Sequence, residues 1–229
     1  INEKDYIDVE PSKSKAFESL LKTFKNRHFR VFVLSDILYF IALTMFQAGL
    51  PFYIVRLLGL EETMITILFL AMTFVSFVFY IPVNIISKKI GKKKLVVGAF
   101  IFFSFAFFVA SLSGKTFIPN LIHGYLISIL AAVPMAILGI LPQAMVADIA
   151  QYESAETNEN REGMFFAART FAFKMGQSVA MVFFTSLAVI GQETGLGYRL
   201  TLIAAIIFSL LGAFVLYFYD EKEILSKIS

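Results

Sequence analysis

The chain contains the run Gly98-Ala-Phe-Ile-Phe-Phe-Ser-Phe-Ala-Phe-Phe-Val109, in which every residue except Gly98 and Ser104 is hydrophobic. Apolar and polar residues do not alternate here, as they would in a strand of a membrane β-barrel. A segment surrounded by lipid has to satisfy its own backbone N–H and C=O groups, and a helix does this internally. The run therefore predicts a helix that spans a membrane.

The composition of the whole chain also indicates a membrane protein. Of its 229 residues 58% are hydrophobic and 16% are charged, and the mean hydropathy is +0.77, whereas soluble domains are about 45–50% apolar and about 25% charged. Because there is no Cys, a disulfide scaffold and a Cys-ligated metal site are excluded. The sequence predicts an all-α membrane protein whose six-helix transmembrane bundle occupies residues 31–219. The six apolar runs, each long enough to cross a bilayer, are 31–52, 63–86, 95–112, 117–141, 164–191 and 200–219.

Lysine and arginine are distributed unequally between the two sides of this bundle. Seven precede the first run, five lie between the second and third, one lies between the fourth and fifth, and two follow the last. The other connections hold only Arg56, Lys115 and Arg199. Since cytoplasmic loops carry the excess of basic residues, both ends of the chain are predicted to be cytoplasmic, with the bundle in the inner (plasma) membrane. The lipid bilayer, rather than nucleic acid, is then the partner of the basic residues.

The segments that flank the bundle differ from it in composition. Residues 1–15 are polar and charged and are predicted to form a flexible cytoplasmic segment, and residues 220–229 a cytoplasmic tail. Over residues 16–30 apolar side chains recur at helical spacing from Phe17, which predicts an amphipathic helix at the membrane interface or a soluble helix that continues into the first span. The chain begins at Ile1 without a signal peptide, so we expect it to be the later part of a longer protein.

Lys174 is the most unusual polar residue of the predicted spans. It follows Gly163 by eleven residues, which places it about 16 Å into the membrane. An ionisable group at such depth costs roughly 2.5–3.5 kcal/mol on insertion scales and is a functional candidate by default. Thr170, Gln177 and Ser178 lie on the same helix face. This polar stripe is predicted to line a water-filled substrate cavity; alternatively, a packed carboxylate neutralises Lys174.

Asp36 and Arg169 are ionisable residues at matching depth in two other positions of the predicted bundle. Both lie about 8–9 Å from the cytoplasmic ends of their helices. We therefore expect an ion pair that closes the cytoplasmic side in one conformation; alternatively, the pair is static, or each side chain reaches the lipid headgroups alone. Tyr39 and Gln47 share the helix face of Asp36, and they are predicted either to donate to a substrate hydroxyl or to bond across to the fifth span.

The connection over residues 148–163 is the most charged one and includes Asp148 and Arg161. No pair of His or Cys accompanies its acidic residues, so a metal site is not expected. The sequence also has no Gly-rich phosphate loop and no Ser–His–Asp set within the spans. These features predict a protein that carries its substrate across the membrane and is not an enzyme.

Two motifs in the last third of the chain carry a family resemblance: Pro142-Gln-Ala-Met-Val-Ala-Asp-Ile-Ala-Gln-Tyr152 and Arg161-Glu-Gly-Met-Phe-Phe-Ala-Ala-Arg-Thr-Phe-Ala-Phe-Lys-Met-Gly176. Together with Phe24-Lys-Asn-Arg-His-Phe-Arg30 and Lys88-Lys-Ile-Gly-Lys-Lys-Lys-Leu95, they resemble the glycoside–pentoside–hexuronide:cation symporters of the major facilitator superfamily. The resemblance covers nearly the whole chain. It implies the C-terminal six-helix bundle of a twelve-helix transporter whose two halves rock about a midplane site.

The resemblance also implies roles for single residues. Lys174 corresponds to the lysine of the eleventh helix in the sugar site, and Thr170 to a threonine of the same pocket. Asp148 and Tyr152 correspond to the charged connection on the cytoplasmic side, although Gln151 stands where the family commonly has Asp. The carboxylates that bind Na⁺ or H⁺ as the coupling ion lie in the N-terminal half of such proteins. That half is therefore an implied partner, and no cofactor is implied.

Three functions remain open at this point. The first is the C-terminal half of a transporter that moves a glycoside or related sugar together with Na⁺ or H⁺ by alternating access. The second is a symporter of the same superfamily that carries lysolipids, which needs an apolar lateral opening. The third is a six-helix membrane scaffold or half-transporter that acts without an N-terminal half.

Overall fold

The computed structural model of the chain describes residues 16–228, and the predicted flexible segment 1–15 lies outside them. Every regular element in the described range is a helix. A π-helical turn, Tyr53–Leu57, continues the second helix, and a 3-10 turn, Gln192–Thr194, precedes the seventh. In chain order the helices are α1 (Ala16–Lys25), α2 (Arg27–Phe52), α3 (Thr63–Ile90), α4 (Lys92–Ser111), α5 (Asn120–Thr157), α6 (Glu162–Ala188), α7 (Leu196–Leu216) and α8 (Glu221–Ile228).

Six of these helices, α2 to α7, are long and apolar enough to cross a membrane. Each of them contains one of the six predicted runs or most of it. These hydrophobic runs are longer than a buried helix of a soluble domain requires. The predicted all-α architecture with six membrane-spanning helices is confirmed.

The first helix boundary differs from the prediction over residues 16–30. α1 ends at Lys25, and α2 begins at Arg27. Asn26 separates them because its side-chain oxygen accepts the N–H of Phe29 at 2.9 Å, which is the arrangement of a helix N-cap. The interfacial position of α1 stays a prediction, and within the bundle it packs against α6.

The predicted tail over residues 220–229 also contains a helix, α8. Asp220 caps it, because its Oδ1 atom accepts the N–H of Glu223 at 3.1 Å. This hydrogen bond lowers the pKa of the Asp220 carboxyl below its ordinary value. α8 packs against the end of α5, and its residue Ile224 is fully buried.

The packing of the six spans leaves one side of the bundle open. α2 packs mainly against α6 and α7, α5 packs mainly against α3 and α4, and α4 and α7 pack against each other. α4 and α7 therefore form the rear face of the bundle. On the other side α3 and α6 are the least buried spans. Only 17% of the residues in the apolar stretch of α3 and 22% of those in the apolar stretch of α6 are buried. The open side between α3 and α6 leads to the residues that the sequence singles out.

Small residues bring the central helices close together. The hydroxyl of Ser35 in α2 donates to the carbonyl of Gly212 in α7 at 2.9 Å. A Cβ on Gly212 would lie 3.3 Å from the carbonyl oxygen of Ser35, and a Cβ on Gly176 of α6 would lie 3.4 Å from that of Ile37. Close backbone approach at small residues is how membrane helices associate, because lipid provides no hydrophobic driving force. α2 is thereby held firmly between α6 and α7.

Candidate functional site

Two adjoining cavities occupy the open side of the bundle. The first has a volume of about 290 Å³ and is bounded by side chains from α2, α3, α5 and α6. The second, of about 170 Å³, shares Phe40, Gln143 and Arg169 with it. We call the two together the central cavity. Its other lining residues are Tyr39, Leu43, Thr73, Ser76, Phe77, Tyr80, Met135, Leu138, Gly139, Thr170 and Phe173.

The ion pair predicted between α2 and α6 is present at the edge of this cavity. Arg169 donates from Nε to Oδ2 of Asp36 at 2.7 Å and from Nη2 to Oδ1 at 3.2 Å. Both residues are buried, and the aromatic rings of Phe32 and Phe40 lie within 6 Å of the guanidinium carbon. Two-pronged pairing of this kind fixes the orientation of a guanidinium group. Arg169 also lines the central cavity, so the pair holds a cationic group in place at its edge.

The wall of the cavity formed by α2 is aromatic. Tyr39, a predicted substrate-binding residue, lines the cavity and is stacked on Phe100 at 5.5 Å between ring centroids. The neighbouring Phe40 lies 4.2 Å from Phe173 of α6. This wall joins α2 to α6 and contributes flat apolar surface to the cavity.

Within this chain most of the polar stripe on α6 is exposed, and only Gln177 of its members is half-buried. Thr170 lines the cavity, and its hydroxyl donates to the carbonyl of Phe166 at 2.8 Å. Lys174 lies one turn further along, donates from Nζ to Oε1 of Gln177 at 3.3 Å, and has its Nζ 4.8 Å from the ring centroid of Phe173. Among residues 16–228 no carboxylate forms an ion pair with Lys174. Neither Lys174 nor Gln177 is in the lining of the central cavity.

Gln47 is separated from the other predicted binding residues. It is exposed and does not line the central cavity, although Asp36, Tyr39 and Leu43 of the same predicted face are buried or line the cavity. Its distance along the helix explains this, since eleven residues after Asp36 correspond to about 16 Å. The structure therefore does not bring Gln47 to the other candidates.

Four polar residues of the cavity are absent from the sequence-based candidates. Thr73, Ser76 and Tyr80 of α3 follow one another at i, i+3 and i+7, a spacing that places them on one helix face. The fourth, Gln143, lies in α5 directly after Pro142 and belongs to both parts of the cavity. The regular spacing on α3 could have predicted from the sequence that three of them share one helix face.

The bundle has a lysine-rich end, where Lys88, Lys89, Lys92, Lys93 and Lys94 lie at the end of α3 and the start of α4. The charged residues at this end form several local interactions rather than one joint network. Asp148 of α5 pairs with Nζ of Lys92 in α4 at 2.5 Å. Tyr152, one turn further, donates to Oε1 of Glu223 in α8 at 3.3 Å, and its ring lies against that of His28 at 5.0 Å. These contacts fasten α4, α8 and the start of α2 to the end of α5.

Arg161, which is buried, forms a separate cluster where α5 meets α6. It donates from Nη2 to Oε1 of Glu153 at 2.6 Å and pairs through Nε with Glu159 at 3.4 Å. The other carboxylate oxygen of Glu153 accepts from Nδ2 of Asn26 at 2.6 Å. Arg161 is therefore linked through one carboxylate to the residue that separates α1 from α2. Within residues 16–228 neither Asp36 nor Arg169 forms a hydrogen bond or ion pair with this cluster.

The structure contains no candidate metal centre in the part of the chain that it describes. No group of three or more His, Cys, Asp or Glu side chains within residues 16–228 is arranged to hold a metal ion. The arrangement that is present consists of hydrogen-bonding groups, aromatic rings and one anchored guanidinium group around a cavity. Such a lining suits the reversible binding of a small polar molecule.

Six spanning helices around a cavity that is lined by aromatic, aliphatic and a few hydrogen-bonding side chains define a multi-pass membrane protein of the transporter class. The sequence model of the family described as MFS/sugar transport protein matches residues 2–222. The chain therefore belongs to this family, within the major facilitator superfamily. No curated protein matches the chain. The narrower group of glycoside–pentoside–hexuronide:cation symporters stays a prediction.

Proposed function

We propose that the chain is the C-terminal half of a secondary active transporter that carries a glycoside or related sugar together with Na⁺ or H⁺. The observation that carries this proposal is the lining of the central cavity, where hydroxyl, amide and guanidinium groups stand beside aromatic rings. Sugars offer hydroxyl groups to such donors and acceptors, and they offer flat C–H faces to the rings. Membership of the MFS/sugar transport protein family supports the same substrate class.

In this proposal the residues around the cavity have different tasks. Arg169, Gln143 and Thr170 supply hydrogen bonds to the substrate, while Tyr39 and Phe173 provide stacking surface. Lys174 lies just outside the cavity on the exposed side of α6, from which an ammonium group can reach a ligand or a carboxylate of another bundle. Gln177 holds the Lys174 ammonium group through its amide oxygen.

The open side of the bundle is the proposed contact with an N-terminal six-helix half. α3 and α6 are the least buried spans, and they flank the central cavity. A second bundle placed there encloses the cavity between two halves, as rocking-type alternating access requires. The unequal distribution of lysine and arginine supports an inner (plasma) membrane location with both ends of this chain in the cytoplasm.

Transport by the intact protein in proteoliposomes tests the proposal. Uptake of a labelled glycoside is measured under a Na⁺ or an H⁺ gradient, with unlabelled sugars or lysolipids as competitors. We expect a sugar to compete and one of the gradients to accelerate uptake. Competition by lysolipids alone contradicts the sugar assignment, and uptake that neither gradient affects contradicts symport.

A matched pair of threonines on α6 links the result to the cavity. Thr170 and Thr185 both donate their hydroxyls to the backbone of their own helix, at 2.8 Å each to the carbonyl four residues before, but only Thr170 lines the cavity. Thr170→Val is expected to raise the KM for the sugar roughly fivefold, the size of one lost hydrogen bond. Thr185→Val is expected to leave the KM unchanged. Equal effects of the two variants contradict a binding role for this cavity.

A further inference from the structure

A second surface cavity lies at the lysine-rich end of α4 and α7, on the rear face of the bundle. Its volume is about 500 Å³. Lys93, Lys94 and Val97 line it from α4, and the segment after α7 contributes Tyr217 and Lys222 among others. No lining residue comes from α3 or α6, so this cavity is remote from the open side of the bundle and from the central cavity. We call it the rear cavity.

The rear cavity has a small excess of positive charge, three lysines against two carboxylates, and the charge of Lys93 also helps to lower the pKa of Asp220. Among residues 16–228 none of its lysines, Lys93, Lys94 and Lys222, forms an ion pair. Its two acidic residues are already engaged with backbone groups. Glu221 accepts N–H groups at the start of α4 at 2.6 and 3.3 Å, and Asp220 accepts one at the start of α8 at 3.1 Å. An anion entering the cavity thus meets three ammonium groups and two carboxylates that act as helix caps.

The same cavity continues into an apolar surface. The Nζ atom of Lys93 lies 5.3 Å from the ring centroid of Tyr217, and Tyr217 and Phe218 are 69% and 56% exposed. Further from the lysines the rear face presents Ile101 of α4 and Phe214 of α7, both more than half exposed. At the edge of a bilayer, basic and aromatic residues lie at the level of the headgroups, and apolar residues lie in the hydrocarbon core. The side chains of the rear face follow this order.

We propose that the rear cavity binds the headgroup of an anionic phospholipid, with its acyl chains along the exposed apolar side chains of α4 and α7. The phosphate lies between Lys93 and Lys94, and Tyr217 and Phe218 pack at the level of the glycerol. Basic residues next to a membrane-spanning helix attract anionic lipids of the same leaflet. A ligand with an anionic head and a hydrocarbon tail uses both parts of this lining, whereas a free phosphate ion uses only the lysines.

The test compares two pairs of neighbouring lysines in the same connection. Lys93→Gln/Lys94→Gln removes two charges from the rear cavity, and Lys88→Gln/Lys89→Gln removes two exposed charges outside it. The intact, delipidated protein is titrated in detergent with phosphatidylglycerol or phosphatidylcholine, and bound lipid is counted by native mass spectrometry. We expect the wild-type protein to prefer phosphatidylglycerol. The preference should fall about fivefold for each lysine lost from the cavity, hence about 25-fold for the pair.

Two further arms make the outcome decisive. Lys88→Gln/Lys89→Gln and the charge-conserving Lys93→Arg/Lys94→Arg should both keep the wild-type preference to within about twofold. An equal loss in the two Gln pairs contradicts the proposal, because it indicates attraction to surface charge in general. A wild-type protein without any preference for phosphatidylglycerol also contradicts it. So does displacement of phosphatidylglycerol by inorganic phosphate at equal concentration, which indicates a site for small anions.

Discussion

Arg169 and Lys174 are five residues apart on the same helix, yet their surroundings are opposite. Arg169 is buried and bound by two hydrogen bonds to Asp36. Lys174 is exposed, its ammonium group lies against Gln177 and the ring of Phe173, and it has no acidic partner within residues 16–228. The two residues have equal charge and similar length, so the difference comes from the face of α6 on which each lies.

This difference separates two uses of a basic residue in a membrane helix. A buried cation with a bidentate partner is part of the structure, because removing either partner leaves an uncompensated charge. An exposed cation next to a binding cavity contributes little to folding and remains available to a ligand or to another bundle. We therefore expect substitution of Arg169 to lower stability in addition to removing a substrate contact, and substitution of Lys174 to lower transport while leaving stability unchanged.

The largest effect is expected from Arg169→Ala. The substitution leaves the carboxylate of Asp36 buried without its partner, which costs about 3–5 kcal/mol of the free energy of unfolding. Chemical denaturation of the protein in detergent measures this loss. The double variant Asp36→Asn/Arg169→Ala should recover a large part of it, and an undiminished loss in the double variant contradicts the assignment to the ion pair.

The charge-reversed pair Asp36→Arg/Arg169→Asp examines whether this ion pair also acts as a gate. Recovery of stability together with uptake relative to the single variants supports the predicted closing of the cytoplasmic side. Recovery of stability without uptake indicates that the pair is static and that the cavity needs a guanidinium group at position 169. Failure to recover either property rejects the gate.

Lys174→Ala is expected to have the next largest effect, and to have it on transport alone. Uptake should fall by about 100-fold, equivalent to about 2.7 kcal/mol, because the ammonium group is lost from the rim of the cavity. The free energy of unfolding should change by no more than about 0.5 kcal/mol, as for other exposed residues. Uptake at the wild-type rate contradicts the proposed role, and so does a loss of stability equal to that of Arg169→Ala.

Two glutamines extend the comparison to neutral residues with smaller effects. Gln143 lines both parts of the central cavity, whereas Gln47 is exposed and does not line it. Gln143→Ala should raise the KM for the sugar roughly fivefold, since a hydrogen bond contributes about 0.5–1.5 kcal/mol. Gln47→Ala should leave the KM unchanged. The reverse outcome supports the sequence-based choice of Gln47 and contradicts the cavity as the binding site.

The smallest effect is expected at the cap of α8. Asp220→Ala removes the acceptor for the N–H of Glu223, so amide hydrogen exchange in α8 should accelerate roughly twofold to fivefold. Acid should likewise lower the protection factors of the α8 amides in the wild-type protein, that is, raise their exchange rates relative to the rates of unprotected amides at the same pH. A carboxyl with a lowered pKa in the folded state stabilises that state above its ordinary pKa of 3.8, and this stabilisation disappears as the pH falls through the lowered value. Protection factors in α8 that acid does not lower contradict the cap.

The sequence predicted the helices better than it predicted the faces of the helices. The hydrophobic runs determine which segments span the bilayer, and equal depth was sufficient to pair Asp36 with Arg169. The lining of the cavity depends on the rotation of each helix, which packing determines. Hydroxyl residues such as Thr73 and Ser76 are inexpensive in a membrane helix because they can bond to their own backbone, as Thr73 does to Phe69. Their low cost in a membrane helix therefore does not mark them as functional candidates, whereas the high cost of Lys174 does.

The break between α1 and α2 shows a second limit of sequence patterns. Apolar residues continue at helical spacing across residues 16–30, so periodicity alone predicts one helix. Asn26 interrupts it because the amide has two partners, the N–H of Phe29 within its own chain segment and the carboxylate of Glu153 in α5. The second partner is 127 residues away in sequence, and no local pattern announces such a contact.

The pairing of Asp36 with Arg169 has a consequence for biosynthesis. The two residues are 133 positions apart, and at a translation rate of 5–20 residues per second Asp36 is synthesised about 7 to 27 seconds before its partner. During this interval the carboxyl of α2 has to be hydrated, protonated or temporarily paired, and only the arrival of α6 allows the ionised side chain to settle in its final position. Assembly of the bundle is thus ordered in time, because the ion pair of Asp36 in α2 forms only after α6 has been synthesised.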